Sequence, residues 1–398
     1  MINFKKIGKI FLWVMGGLAG VLAIFLLVMS VIYSPEFVWR CLFSGEETVY
    51  DYQIFPERKL EASPNPYAYK SDLDEAGVKA AFEANPNVGN LEELLASTGS
   101  QAFIIIQDDV IRYEKYFNGA QRDTLVTSFS TAKSIDSALV GFAIADGFIK
   151  SSDDPITNYL PELAERDGRF QKITIRNLLE MNSGIRYVEK DIPFFDDGNR
   201  TYRFPDMRRL ALEMTEIDAP PGEFVYNPYN PLVLGLILER VTGKSVTQYL
   251  QEKLWTPLGM EYGGSWSLDS QRSGYEKMES GINARAIDFA KFGSLYLHQG
   301  IFNGIQILPA EWVMESTTPD EAVKLEENVY YKYYWWGMKR GEKDYDYFAW
   351  GNLGQFIYIS PANNLLIVRN GERYGLEGEG STWGNMFFQF ASEYGKSE

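Results

Sequence analysis

The chain has 398 residues, 45% hydrophobic and 15% aromatic, enough for one large domain or two small ones with a substantial core. Its formal net charge of −16 argues against nucleic acid or an anionic membrane surface as the main partner. One cysteine, Cys41, excludes an intrachain disulfide, and one histidine, His298, excludes paired-histidine metal sites.

Lys5, Lys6 and Lys9 precede Ile10 to Tyr33, a run of 24 residues without a charge. As a helix it would extend about 36 Å, enough to cross a hydrocarbon core of about 30 Å. It is longer than a signal-peptide core and no small-residue cleavage site follows, so it reads as an uncleaved signal anchor. Lysines before the run and Glu36, Glu46, Glu47 and Asp51 after it put residues 1–9 in the cytoplasm. Everything beyond residue 33 is then periplasmic or extracellular, on a single-pass protein of the cytoplasmic membrane.

Residues 34–90 read as a linker and lead-in region, with turn chemistry at Ser63 to Tyr67 and a short helix over Leu73 to Ala84. The globular pattern starts at Leu91. A helix is expected over Leu91 to Ser97, then strands Ala102 to Gln107 and Val110 to Phe117 joined at Asp108-Asp109. A helix follows with Ile135, Ala138, Leu139 and Phe142 on one face and Gly147 as its stop. Further helices are expected over Thr174 to Met181, Pro205 to Met214, Leu232 to Val241 and Arg285 to Leu297. Asn230 is the expected N-cap of the third, with Pro231 at its first position, and the fourth reads as amphipathic. His298 falls at a helix end, where its charge suits the dipole. Short strands over Tyr345 to Trp350, Phe356 to Ser360 and Leu365 to Asn370, then a helix over Trp383 to Tyr394, close the chain. This order predicts an α+β fold: a sheet covered by terminal helices, with a helical lobe inserted between its strands.

Ser130 and Lys133 stand three residues apart at the start of the fourth expected element of the domain, so both lie on one helix face. Ser130 in the first turn would also feel the positive end of the helix dipole. With histidine so scarce, a serine nucleophile in this chain is best served by a lysine or tyrosine base. Tyr226, in Glu223 to Pro231, is the candidate proton shuttle because its loop runs straight into an apolar helix.

Several blocks resemble the serine hydrolases related to class C β-lactamases, which include penicillin-binding-type D-Ala-D-Ala peptidases, esterases and 6-aminohexanoate-dimer hydrolases. They are Ser128-Phe-Ser-Thr-Ala-Lys-Ser134, Asp153-Asp-Pro-Ile-Thr-Asn-Tyr-Leu-Pro161, Ile173-Thr-Ile-Arg-Asn-Leu-Leu179 with Asn182-Ser-Gly184, and Tyr226 to Gly243. The resemblance implies a β-lactamase/transpeptidase-like fold with an antiparallel sheet, and a hydrolase domain over 91–398. It implies Ser130 as nucleophile, Lys133 as base or relay, Tyr226 as the tyrosine of the family's Y-x-N motif, and an oxyanion hole from the backbone N–H groups of Ser130 and Gln355. The third motif, K-T-G or H-x-G in relatives, falls on Asn352-Leu353-Gly354, and Tyr187 and Trp350 are candidate pocket residues.

Two departures narrow the substrate. The second-motif asparagine falls on Pro228, with Asn227 or Asn230 as possible substitutes. Asn352 stands where relatives carry a cationic or imidazole group that helps hold a substrate carboxylate. The expectation is therefore a membrane-anchored esterase or amidase acting on a small or peptide-like substrate, without metal or cofactor. A D-Ala-D-Ala peptidase or β-lactamase-like enzyme is the alternative within the family, and an acylated sensor without turnover the alternative outside it.

Overall fold

The apolar N-terminal run folds as one helix, Phe4–Ile32. The computed structural model describes residues 4–395. Residues 1–3, the side chains of residues 4–6, among them Lys5 and Lys6, and residues 396–398 lie outside the described residues. Within this helix Ile7–Ile32 is long and apolar enough to cross a membrane, and its most apolar stretch is uncovered by the rest of the protein. Its C-terminal end is different. Met29 and Tyr33 are buried against the domain, and Phe25 meets Phe194 edge-on at 5.7 Å between ring centroids. The next helix, Pro35–Phe43, buries Phe37 and Val38 and leaves Trp39, Leu42 and Phe43 exposed.

A nine-stranded sheet forms the frame. Its order is Val323–Lys324, Val329–Lys332, Trp335–Lys339, Tyr345–Gly351, Gln355–Ser360, Leu365–Gly371, Ser100–Gln107, Val110–Tyr116 and Lys70–Ser71. All neighbours pair antiparallel except the last two strands, which are parallel. Ser100–Gln107 is buried along its whole length because helices cover both faces, which explains its unbroken apolar run. Phe103 and Ile105 face the helices Glu75–Glu83, Leu91–Ser97 and Glu379–Tyr394, where Phe82 stacks on Phe390 at 4.0 Å. Ile104 and Ile106 face the other core, which holds Ala286–Leu297 and Thr131–Ala145. At Gly293 the first of these helices comes so close to the sheet that a Cβ would lie 2.4 Å from Leu366 Cδ1. The helical lobe enters between Val110–Tyr116 and the later strands, as the order of elements predicts.

Some local expectations change. Ala286–Leu297 is buried on every side rather than amphipathic, because it lies between the sheet and the lobe. The helix expected from Leu232 starts at Tyr229 with Pro228 at the cap position and ends at Gly243, whose φ is +66°. Asn230 is therefore inside the first turn and not its cap. Asn227 does that work by accepting the Tyr229 N–H at 2.9 Å.

Residues 34–90 fold onto the domain. Glu57–Leu60 joins Gly264–Ser267, Ile282–Ala284 and Val126–Thr127 in a second sheet of four strands. This small sheet delivers the chain to Ser130: the Ser128 N–H donates to Ile282 O at 2.7 Å.

Candidate active site

Val126–Thr127 ends, Phe129 takes a left-handed backbone (φ +46°), and Ser130 sits immediately before the helix Thr131–Ala145. A phenylalanine at positive φ is strained, and such strain persists only where surrounding contacts enforce it. The turn puts Ser130 at the helix N-terminus and Lys133 one turn along. Lys133 Nζ donates to Ser130 Oγ at 2.9 Å and to the Glu279 carbonyl at 2.7 Å. Lys133 is only 2% exposed, and the second bond fixes the amine independently of the serine. Its Nζ also lies 5.1 Å from the centre of the Tyr226 ring.

Ser130, Lys133 and Tyr226 open into one cavity of about 530 Å³. Tyr187, Trp350 and Asn352, all proposed from sequence, line it too, as does Pro228. Trp350 packs on Trp336 at 5.1 Å. The Tyr187 hydroxyl donates to Glu189 at 3.1 Å, and burial together with that carboxylate pushes its acidity far down. Neither candidate substitute for the motif asparagine reaches the cavity. Asn227 Nδ2 donates to Ile185 O at 2.8 Å, and Asn230 Oδ1 accepts from Ser183 Oγ at 2.6 Å.

The third motif is split. Gly351 and Asn352 line the cavity, whereas Gly354 and Gln355 do not. A Cβ on Gly351 would lie 2.5 Å from Ser128 O and 3.1 Å from Ser130 N, so this strand end packs directly on the nucleophile turn. The backbone of Asn352 follows this strand end, next to the nucleophile turn and on the cavity wall. Gln355 is 2% exposed, and its side-chain Nε2 donates to Gly371 O at 2.5 Å. Gly354, at φ +86°, makes room for Arg369: a Cβ would lie 2.0 Å from Nη1, which donates to Gly354 O at 2.7 Å. The glycine thus braces the motif loop from behind.

The other singular side chains lie elsewhere. His298 ends Ala286–Leu297, and its Nε2 is 2.8 Å from Asp109 Oδ1 in the first hairpin turn. Burial pushes the Cys41 thiol up to about 11, the behaviour of an inert thiol. Among the described residues no group of three or more His, Cys, Asp or Glu side chains is placed to hold a metal ion.

Sequence reasoning missed several residues of the cavity wall, among them Glu47, Glu279, Trp336 and Tyr374. It also missed Asp136, one turn beyond Lys133, fully buried with no hydrogen-bond partner for either oxygen. Burial raises its pKa well above the ordinary value, against the pull of Lys133. The folded state therefore binds this proton more tightly than the unfolded state, where the pKa is about 3.9. Stability from this group is complete below that value and is lost as pH rises through the folded pKa. Asp136→Asn is expected to match wild type near pH 3 and to be more stable by about 1–3 kcal/mol at neutral pH. Denaturant melts at the two pH values check this.

A serine on a helix N-terminus with a lysine one turn on, at the edge of an antiparallel sheet with an inserted helical lobe, defines the active-site-serine class of the β-lactamase/transpeptidase-like fold. The Beta-lactamase family profile matches residues 89–378, and the chain belongs to this family of serine hydrolases. The 6-aminohexanoate-dimer hydrolase of Paenarthrobacter ureafaciens is 27% identical over 300 residues, 70% of this chain and 74% of that protein. Among solved structures, a Bacillus anthracis protein provisionally described as a 6-aminohexanoate-dimer hydrolase superposes with a TM-score of 0.75 at 23% identity, covering 87% of this chain and 94% of that one. A penicillin-binding protein of Bacillus halodurans gives a TM-score of 0.57 at 17% identity, covering 71% and 95%.

Proposed function

We propose that the protein is a membrane-anchored hydrolase that cleaves an ester or amide through an acyl-enzyme on Ser130. The observation that carries this reading is the 2.9 Å contact between Lys133 Nζ and Ser130 Oγ inside the cavity. With the amine neutral, the same contact passes the hydroxyl proton to nitrogen as Oγ attacks the substrate carbonyl. Tyr226 borders the amine and relays the proton to the leaving group. The oxyanion forms against the backbone N–H groups of Ser130 and Asn352. Asn352 takes the place first given to Gln355, because it lines the cavity beside Ser130 and Gln355 does not. Losing one such donor typically costs about 3 kcal/mol of barrier. Water then releases the acyl group, with Tyr226 and Lys133 acting in reverse. The similarity to 6-aminohexanoate-dimer hydrolase supports amide cleavage within this class.

Turnover tests the reading. A p-nitrophenyl ester is expected to give an initial burst followed by steady release over many cycles. One equivalent of nitrophenol and then silence would mark an acylated sensor instead.

The apolar segment 10–33 anchors the domain outside the cytoplasm in this reading, with residues 1–9 inside. Protease added to intact cells is expected to remove the globular domain, residues 91–398, and full protection would overturn the orientation.

A further inference from the structure

Four carboxylates line the cavity, Glu47, Glu189, Asp196 and Glu279, against one basic side chain, Lys133, which is committed to Ser130 and the Glu279 carbonyl. Two further basic side chains, Lys277 and Arg203, stand behind the wall. Lys277 pairs with Glu279 Oε1 at 3.0 Å, and Arg203 is taken up by Asn199 Oδ1 and Gly45 O. That leaves Glu279 Oε2 with no hydrogen-bond partner in a residue only 4% exposed.

Glu47 is the informative one. It lies outside the stretch matched by the family profile, in the segment after the anchor helix, yet its Oε2 is 3.4 Å from Asn352 Nδ2. At the position that carries a cation or imidazole in relatives, this chain presents a neutral amide backed by a carboxylate. The sign of the subsite is reversed. The remaining wall is rich in aromatic rings, with Tyr187, Tyr226, Trp336, Trp350 and Tyr374. Carboxylates set among aromatic faces are the environment that attracts an ammonium ion, through charge and through the ring quadrupole.

We infer that the subsite at Glu47 and Asn352 receives the ammonium group of an amine-bearing ester or amide, and rejects a carboxylate there. This rests on the serine-hydrolase reading above and names the substrate class for it.

Full-length protein in detergent is titrated with n-hexylammonium and with hexanoate, following the fluorescence of the cavity tryptophans. It is also assayed on three p-nitrophenyl esters of equal chain length ending in an ammonium, a methyl or a carboxylate group. Hexylammonium is expected to bind at least about tenfold more tightly than hexanoate, and kcat/KM to fall in the order ammonium, methyl, carboxylate. Glu47→Gln should shrink the ammonium-over-carboxylate ratio about tenfold, chiefly through KM, and Glu47→Lys should invert it. Equal binding of the two ions, or a ratio that neither variant moves, overturns the inference. The two readings fail separately. Ammonium binding that responds to Glu47, with ester turnover that survives Ser130→Ala, would refute the catalytic assignment and leave the amine subsite standing. Turnover that depends on Ser130 without ammonium preference would do the reverse.

Discussion

Ser130→Ala is expected to lower kcat/KM on an activated ester by roughly four to six orders of magnitude, the loss seen when an acylating nucleophile is deleted. Labelling by a fluorophosphonate probe should vanish with it. The fold should not. Ser130 occupies the cap position of Thr131–Ala145 but its side chain makes no capping bond, so alanine removes none. Lys133 keeps its bond to the Glu279 carbonyl, so the buried amine is not left without a partner. The variant should melt within about 1 kcal/mol of wild type, which separates a chemical defect from a structural one. Labelling that persists in Ser130→Ala would overturn the assignment.

Lys133→Met should cost about 10² to 10⁴ in the acylation rate, the usual contribution of a positioned base. The side chains are similar in volume, so packing is retained. Replacing a buried amine by a thioether of similar size should leave the melting temperature equal or higher, since well-packed apolar replacements of buried basic groups are often neutral or stabilising. The diagnostic readout is the rate of fluorophosphonate labelling at a fixed pH, compared among wild type, Lys133→Met and Tyr226→Phe. The larger loss is expected in Lys133→Met. An unchanged rate in Lys133→Met with a loss confined to Tyr226→Phe would move the base from Lys133 to Tyr226.

Ser130 and Lys133 were legible in the sequence because their relation is local: three residues on one helix fix the contact. The strands Ser100–Gln107 and Leu365–Gly371 were legible for similar reasons, as apolar runs between turn residues. The hairpin of Val329–Lys332 and Trp335–Lys339 was not. Its turn is Tyr333-Tyr334, both at positive φ, +45° and +68°, where asparagine and glycine are usual. Tertiary contacts hold it: Ser134 Oγ donates to Tyr334 O at 2.7 Å, and the Tyr333 hydroxyl donates to Glu315 at 2.8 Å. No local signal announces such a turn.

Asn230 misled for another reason. A cap residue followed by proline is a sound local rule, but Asn227 already accepts the Tyr229 N–H, and the helix starts earlier. Glu47 had no pattern at all. It reaches Asn352 across 305 positions of the chain, and only the folding of the lead-in segment onto the domain brings the two together. Local chemistry was readable here, and the wall that selects the substrate was not, because distant segments supply it.

The end of the N-terminal helix is wedged into the domain through Phe25, Met29 and Tyr33, and the Arg200 guanidinium sits 4.9 Å above the Tyr33 ring. With a bilayer around the uncovered part of that helix, the cavity would have no slack line on which to swing. Trp39, Leu42 and Phe43 would rest at the lipid surface, where aromatic and apolar groups settle. The enzyme would then patrol a thin sheet of solution at constant height, finding substrate by lateral drift. Its working rate would follow how crowded that layer is, and dilution of the bulk medium would matter little.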